Sequence, residues 1–273
     1  MARKARLDAE LVRRGLARSR EHAGTLIGDG KVTVRGMVAA KPATGVEADA
    51  AILVRSTDDP GWASRGAYKL LGAIRTFASQ GLRVNRARCL DAGASTGGFT
   101  DVLLSEGARE VVAADVGRGL LDWRLRTDER VVVLDRTNVR ALTPDAIGGQ
   151  VELVVADLSF ISLRLVLPAL TACAAPGANL LPMIKPQFEV GRNRLGSGGV
   201  VRDEGLREEA LLEVLTTCEK LGLHAEGAVA SPLPGPSGNV EYFAWLRAAA
   251  HPSESAPPSL AEIARSAVAE GPR

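Results

Sequence analysis

Lysine is scarce in this chain of 273 residues: six lysines stand against 28 arginines. Two of the six, Lys69 and Lys185, recur in segments whose spacing also offers two carboxylates, Asp157 in VVADLSF and Glu241 in GNVEYF. Arginine keeps its proton in any protein environment, whereas a lysine ammonium releases one where burial or a neighbouring cation makes its charge costly. Two lysines interleaved with two carboxylates therefore suit removal of a proton from a weakly acidic group such as a hydroxyl. Lys185 is the candidate base. Lys69 would steady the negative charge that develops on oxygen, and Asp157 and Glu241 would orient the two amine heads. Nearby carboxylates favour the charged lysine, so the opposite division of labour, with Lys69 as base, stays open. Two solvated surface lysines are the plain alternative.

A second group surrounds a glycine-rich turn, Asp91-Ala92-Gly93-Ala94-Ser95-Thr96-Gly97-Gly98-Phe99. Glycines between a strand and a helix let backbone approach a ligand at the positive end of the helix. The form is D-x-G-x-S-x-G-G, so an acidic residue opens the loop where a pyrophosphate would be repelled. That suits a ligand carrying an amino group and a sulfonium. Asp115-Val116 ends the next strand, where a carboxylate accepts hydrogen bonds from ribose hydroxyls, and Asp135 and Asn138 end the third, where both would face the adenine. Phe160, just after Asp157, is a candidate to pack near the cofactor or substrate, although an aromatic residue at a strand end more often belongs to the core. The turn resembles motif I of class I methyltransferases, which bind S-adenosylmethionine, and the resemblance implies that cofactor.

These residues need elements to hold them. From Arg88 onward, apolar runs of parallel-strand type (RCLDAG, EVVAADV, RVVVLD, VELVVADLSF, ANLLPMIK) alternate with helical segments. Phe99–Glu106, Arg164–Ala174 and Asp203–Leu221 provide crossovers, and strands near 223–230 and 241–247 complete a sheet of seven. The expected fold is α/β, a doubly wound and mostly parallel seven-stranded sheet, which gathers strand ends into one crevice. Lys69 lies in the helix before the first of these strands. The expected divisions are 1–58 as a small α+β domain, 59–66 as a linker within the Asp/Pro/Gly-rich STDDPGWASRG, 67–249 as the large domain and 250–273 as a peripheral tail, Pro/Ser-rich at first and then a short helix from Leu260.

The net charge of +2 conceals an uneven distribution, because residues 1–41 hold ten basic and four acidic side chains. Leu7, Leu11 and Val12 mark one short helix closed by Gly15. Ser19 caps a second with Ala23, Leu26 and Ile27 on its apolar face, and KVTVRG alternates like a strand. The helices carry Arg6, Arg14, Arg18 and Arg20, with Lys41 beyond, a set suited to RNA phosphates. The pattern over Leu7–Gly36 closely resembles the S4 RNA-binding domain.

Taken in order, Lys69, Asp157, Lys185 and Glu241 around a motif I loop resemble ribose 2′-O-methyltransferases of the FtsJ type. ASTGGFTDVLL, ADLSFISL, IKPQFEVG and SPLPGPSGNVEYF behind an S4 unit are similar to the haemolysin-A-like (TlyA) family over roughly residues 2–247. This resemblance implies a Rossmann-like class I methyltransferase domain and 2′-O-methylation of cytidine in 16S and 23S ribosomal RNA, with ribosomal subunits as partners. It also implies the catalytic tetrad at these four positions. The sulfonium supplies electrophile and leaving group, so no metal is expected, and nothing demands more than a monomer.

The competing functions find less support. Cys89, Cys173 and Cys218 lack CxxC spacing, which disfavours disulfide or zinc frameworks and fits a reducing compartment. MARKARLDAE has no apolar run behind it, and the stretch from Leu163 to Ile184 is broken by Arg164, Pro168, Pro176 and Pro182. With aromatics at 4%, a membrane-acting cytolysin lacks its usual means, and a cytoplasmic protein is expected. A small-molecule methyltransferase whose S4 unit binds some other partner is countered by the basic N-terminal segment.

Overall fold

The computed structural model of the chain describes residues 5–17, 19–47, 49–54, 61–248 and 259–272. It divides into two compact units, Met1–Gly61 and Trp62–Arg273.

In the first unit, β1 (Ala5–Arg6) leads directly into α1 (Leu7–Arg13), and α2 (Arg20–Gly28) follows. Gly15 takes φ +70° just past α1, a conformation glycine adopts without steric cost. The Ser19 side chain accepts the His22 amide and caps α2. β2 (Val32–Val34) pairs antiparallel with both β3 (Met37–Val38) and β5 (Ile52–Val54), while β4 (Gly45–Val46) pairs with β1. Leu7, Leu11, Ala23, Leu26, Ile27 and Val32 form the core. Each fully buried leucine or isoleucine there contributes roughly 1.5–3 kcal/mol of transfer free energy.

In the second unit, α3 (Gly66–Ala78) precedes β6 (Arg88–Ala92), α4 (Gly98–Ser105), β7 (Glu110–Ala114), α5 (Trp123–Arg126) and β8 (Val131–Leu134). Then come β9 (Val151–Ala156), α6 (Leu167–Cys173), β10 (Ala174–Ile184), α7 (Pro186–Glu189) and α8 (Glu204–Lys220). β11 (Leu223–Ala230), β12 (Tyr242–Ala248) and α9 (Leu260–Ala269) complete it. The sheet order is β11-β12-β10-β9-β6-β7-β8, parallel except that β12 runs antiparallel between β10 and β11.

The strands read as unbroken apolar runs because both faces are covered. Leu90, Ala92, Val112 and Val154 pack into one core with α6, α8 and α9, while Cys89, Val111, Leu153 and Val155 pack into the other with α3 and α4. This is the two-residue period of a strand split between two layers. After β8 the chain returns to the far side of β6, so the topology reverses between β6 and β9. The carboxyl ends of those strands border the crevice where such sheets bind ligands.

The expectation of a peripheral tail needs correction. Residues 250–258 lie outside the described residues. The segment after them forms α9, which begins with a Ser259–Glu262 capping box and buries Ile263, Ala264, Ala267 and Val268 in the core shared with α8. Among the described residues no helix is long and apolar enough to cross a membrane.

Candidate active site

The glycine turn owes its shape to positions that a side chain would block. Gly93 has φ +87° and Gly97, the N-cap of α4, has φ +97°. A Cβ on Gly93 would lie 2.7 Å from the Asp157 carbonyl oxygen, and one on Gly97 would collide with Leu125 and Leu121. The Gly93 amide donates to the Ala114 carbonyl, tying the turn to the end of β7. Asp115 then accepts the Ser95 amide at 2.9 Å on one oxygen and the Gly117 amide at 2.7 Å on the other. A single carboxylate thus fixes both loops that border the crevice.

Two adjoining cavities open there. One of about 560 Å³ is lined by Ser64, Gly66, Lys69, Thr96, Gly98, Phe99 and Pro234–Pro236, and one of about 390 Å³ by Asp115, Val116, Leu120, Asn138 and Phe160. Gly93, Ser95 and Asp157 belong to both. The structure thus gathers most of the cofactor candidates but leaves three as supports. Gly97 shapes the turn from below. Asp135 holds the Gly119 amide and pairs with Arg126 at 3.1 Å, and lines neither of these two cavities. Asp91 is fully buried and accepts the Thr100 hydroxyl at 2.7 Å, while its other oxygen finds no partner among the described residues.

Burial pushes the Asp91 carboxyl up to about 7, with nearby Asp157 adding to the shift and the Thr100 hydrogen bond opposing it. The folded chain therefore binds this proton more tightly than the unfolded chain, where the ordinary value is 3.8. The resulting stabilisation is complete below that ordinary value and is lost as pH rises toward 7. Urea unfolding across this range should show the wild-type protein losing stability relative to Asp91→Asn as pH rises. Identical slopes for the two proteins would contradict it.

At the head of the crevice the four candidate catalytic residues converge. Lys69, from α3, lies 2.5 Å from one Glu241 oxygen, and Lys185, at the end of β10, lies 2.5 Å from Asp157 and 3.9 Å from the other Glu241 oxygen. Lys185 also donates to the Ser159 hydroxyl at 3.3 Å. Lys69, Lys185 and Glu241 are 9%, 7% and 1% exposed, so two ammonium groups and two carboxylates share a nearly dry cluster. The Asp157 side chain, 25% exposed, is its most open member. Glu241 is steadied by its neighbours, because its carbonyl accepts the Ser231 amide and Gly235 passes close to its carboxylate.

Phe160 corrects the core expectation. It is 91% exposed at φ +64°, and its ring lies 5.5 Å from that of Phe188, tilted by 48°. A bulky residue held in this region costs on the order of 1–3 kcal/mol, and such strain gathers at functional sites. Sequence reasoning missed Ser159, Phe188 and the 234–236 wall. Phe188 stands three residues after Lys185 just as Phe160 stands three after Asp157, and that parallel was the available signal. Among the described residues no three His, Cys, Asp or Glu side chains converge as a possible metal cage.

In the first unit the arginines are partly spent on local acids. Asp8, 5% exposed, accepts from Arg6 at 3.1 and 3.0 Å and from Arg20 at 2.9 Å. The Arg6 hydrogen bond, against the opposing effect of burial, holds the Asp8 carboxyl well below the usual range. Buried Glu10 is held down to about 2 by Arg13 and then Arg14, and Arg14 also donates to the Ala50 carbonyl at 2.7 Å. Arg14 therefore braces the fold, Arg6 and Arg20 share a buried anion, and Lys41 is exposed. Arg18 lies outside the described residues.

The FtsJ-like methyltransferase family matches residues 62–248, and the S4 domain matches residues 5–52. The chain is 58% identical over 272 residues, a match that covers 100% of each chain, to the 16S/23S rRNA (cytidine-2′-O)-methyltransferase TlyA of Mycobacterium tuberculosis. It is 35% identical over 241 residues to Hemolysin A of Brachyspira hyodysenteriae, covering 88% of this chain and 98% of that one. A solved structure from Streptococcus thermophilus, of a protein named for hemolysin, superposes with a TM-score of 0.72 at 35% identity. That match covers 99% of this chain and 98% of the other.

Proposed function

The chain belongs to the FtsJ-like methyltransferase family, and on that premise we propose that it methylates the ribose 2′-hydroxyl of cytidines in ribosomal RNA of both subunits, using S-adenosylmethionine. The observation that carries this reading is the buried cluster of Lys69, Glu241, Lys185 and Asp157 at the head of a two-lobed crevice.

The crevice fits an elongated cofactor. Gly93 and Ser95 line both lobes, Asp115 presents a carboxylate at the end of β7 where ribose hydroxyls are bound in such sheets, and Asn138 and Val116 line the outer lobe. Gly93, Ser95, Thr96 and Gly98 would hold the inner part. When bound, the cofactor supplies a methyl group on a positively charged sulfur, an electrophile with its leaving group built in.

The protein must then draw off the hydroxyl proton as the oxygen attacks. Lys185, once its own proton has passed through Asp157 to solvent at the open edge of the cluster, accepts the hydroxyl proton as a neutral amine held by Asp157 and Ser159. Lys69 lines the cavity as a cation held by Glu241 and steadies the developing charge on oxygen. The exposed Phe160 ring, paired with Phe188 beside the cluster, offers a face on which an unstacked base can rest. The S4 unit supplies phosphate contacts. The protein would act as a cytoplasmic monomer.

Incubation with labelled S-adenosylmethionine should methylate ribosomal subunits that lack the modification and leave mature subunits unlabelled. Equal labelling of both would reject the assignment. Binding to ribosomal RNA should weaken steeply with salt, and Lys41→Ala should reduce the slope of log affinity against log salt by about one unit. Arg20→Ala should reduce it by less, because Asp8 already shares that guanidinium. Filter binding over a potassium chloride series measures both, and a full-unit loss for Arg20→Ala would show that Asp8 does not compete with RNA.

A further inference from the structure

One buried carboxylate beside the catalytic cluster has no part in the chemistry above. Glu189, 4% exposed, ends the short α7 that begins immediately after Lys185. It points across to the loop that follows β9, accepting the Ser162 hydroxyl at 2.6 Å and the Leu163 amide at 2.7 Å. Arg164 closes the group, with its guanidinium 3.3 Å from the Glu189 carboxylate and a donor 3.2 Å from the Glu189 carbonyl. Arg164 is itself anchored to Glu213 of α8 at 2.8 Å.

The loop and the helix leave neighbouring parallel strands, and three rungs join them in order. Asp157 meets Lys185, Phe160 meets Phe188, and Ser162 with Leu163 meets Glu189. The first two rungs are the ones with chemical work to do. The loop between them is irregular and holds Phe160 in the left-handed region, a conformation that persists only where its surroundings enforce it. Only the outermost rung pairs a buried acceptor with a backbone amide, and so it fixes the path of the chain as well as a side chain.

We propose that Glu189 is a positioning residue: by binding Ser162, Leu163 and Arg164 it sets the separation of Asp157 and Lys185 and keeps Phe160 at the mouth of the crevice. The inference rests on the methyltransferase reading for its kinetic consequence and on geometry alone for its structural one. The outer lobe of the crevice is lined by Asp157 and Phe160 as well as by residues that follow β6, β7 and β8, so loosening the tether should disturb cofactor binding less than the transfer step.

Full-length Glu189→Ala, Glu189→Gln and Ser162→Ala proteins test it. Hydrogen exchange of residues 158–163 should quicken in Glu189→Ala while β9 stays protected. Affinity for S-adenosylmethionine should fall less than kcat on ribosomal subunits, which should drop by about 10- to 100-fold, the scale of a small misplacement of reacting groups. Glu189→Gln should recover most of the activity, since its amide oxygen still accepts the Leu163 amide, and Ser162→Ala should show a milder form of the same defect. A folded Glu189→Ala with wild-type exchange and kcat would overturn the proposal. So would parallel loss of cofactor affinity and activity with no advantage for Gln over Ala. If Glu189→Ala does not fold, the other two variants decide the matter by the same criteria. Failure of the wild-type protein to methylate subunits would count against the functional reading, and the exchange measurements, which need no substrate, would still judge the tether.

Discussion

Lys185→Ala should lower kcat for methyl transfer by about 10²- to 10⁴-fold, the usual contribution of a positioned base, while leaving affinity for S-adenosylmethionine intact. The informative comparison is with arginine. Lys185→Arg keeps the charge opposite Asp157 but cannot give up a proton, so it should be as inactive as the alanine variant. Lys69 has a different task. Its ammonium is held 2.5 Å from Glu241 and needs only to stay positive, so Lys69→Arg should retain much of the activity that Lys69→Ala loses. Single-turnover rates on ribosomal subunits, with cofactor binding measured separately, check all four variants. Arginine rescue at 185 and none at 69 would exchange the two roles.

Gly93→Ala should abolish cofactor binding and destabilise the second unit by on the order of 3 kcal/mol. Two causes add. The residue sits at φ +87°, where an L side chain is strained. Its new Cβ would also lie 2.7 Å from the Asp157 carbonyl oxygen and 2.9 Å from the Leu158 side chain, and the first of these is backbone with no rotamer in which to retreat. Pushing that carbonyl away moves Asp157 from Lys185, so one methyl group would damage both the cofactor turn and the proton-transfer cluster. Gly222→Ala is the control. It has φ +79° with nothing within 4 Å of an added Cβ, so only the conformational cost of about 1–2 kcal/mol applies. Calorimetry for the cofactor and thermal unfolding separate the two variants. Wild-type affinity in Gly93→Ala would refute the close-packing explanation.

Much of this architecture was legible because both faces of the sheet are buried. Runs such as EVVAA and VELVVA admit few other interpretations, and the strand-end rule then placed Asp157 and Lys185 together. The parts that stayed hidden depend on partners remote in sequence. Asp91 looked like a cofactor ligand, but its neighbours enclose it beneath the turn. Asp135 looked the same and is occupied by Arg126 and the Gly119 amide. The density of arginine in the first forty residues suggested an open phosphate-binding face, yet sequence could not reveal that Asp8 and Glu10 are buried among those arginines. The helix from Leu260 was legible, but the Pro/Ser-rich stretch before it suggested a peripheral position, and the core partners that bury Ile263, Ala264, Ala267 and Val268 are remote in sequence. An aromatic at a strand end usually turns inward, and nothing local in the sequence shows that Phe160 takes φ +64° and stands 91% exposed.

The central claim concerns which atom receives the methyl group. Ribosomal RNA labelled by the protein with tritiated S-adenosylmethionine can be digested with alkali, which cleaves only beside a free 2′-hydroxyl. The account predicts that the label emerges in alkali-resistant dinucleotides whose 5′ member is cytidine, and that Lys185→Ala yields none. Label recovered in mononucleotides, on the base, would contradict it.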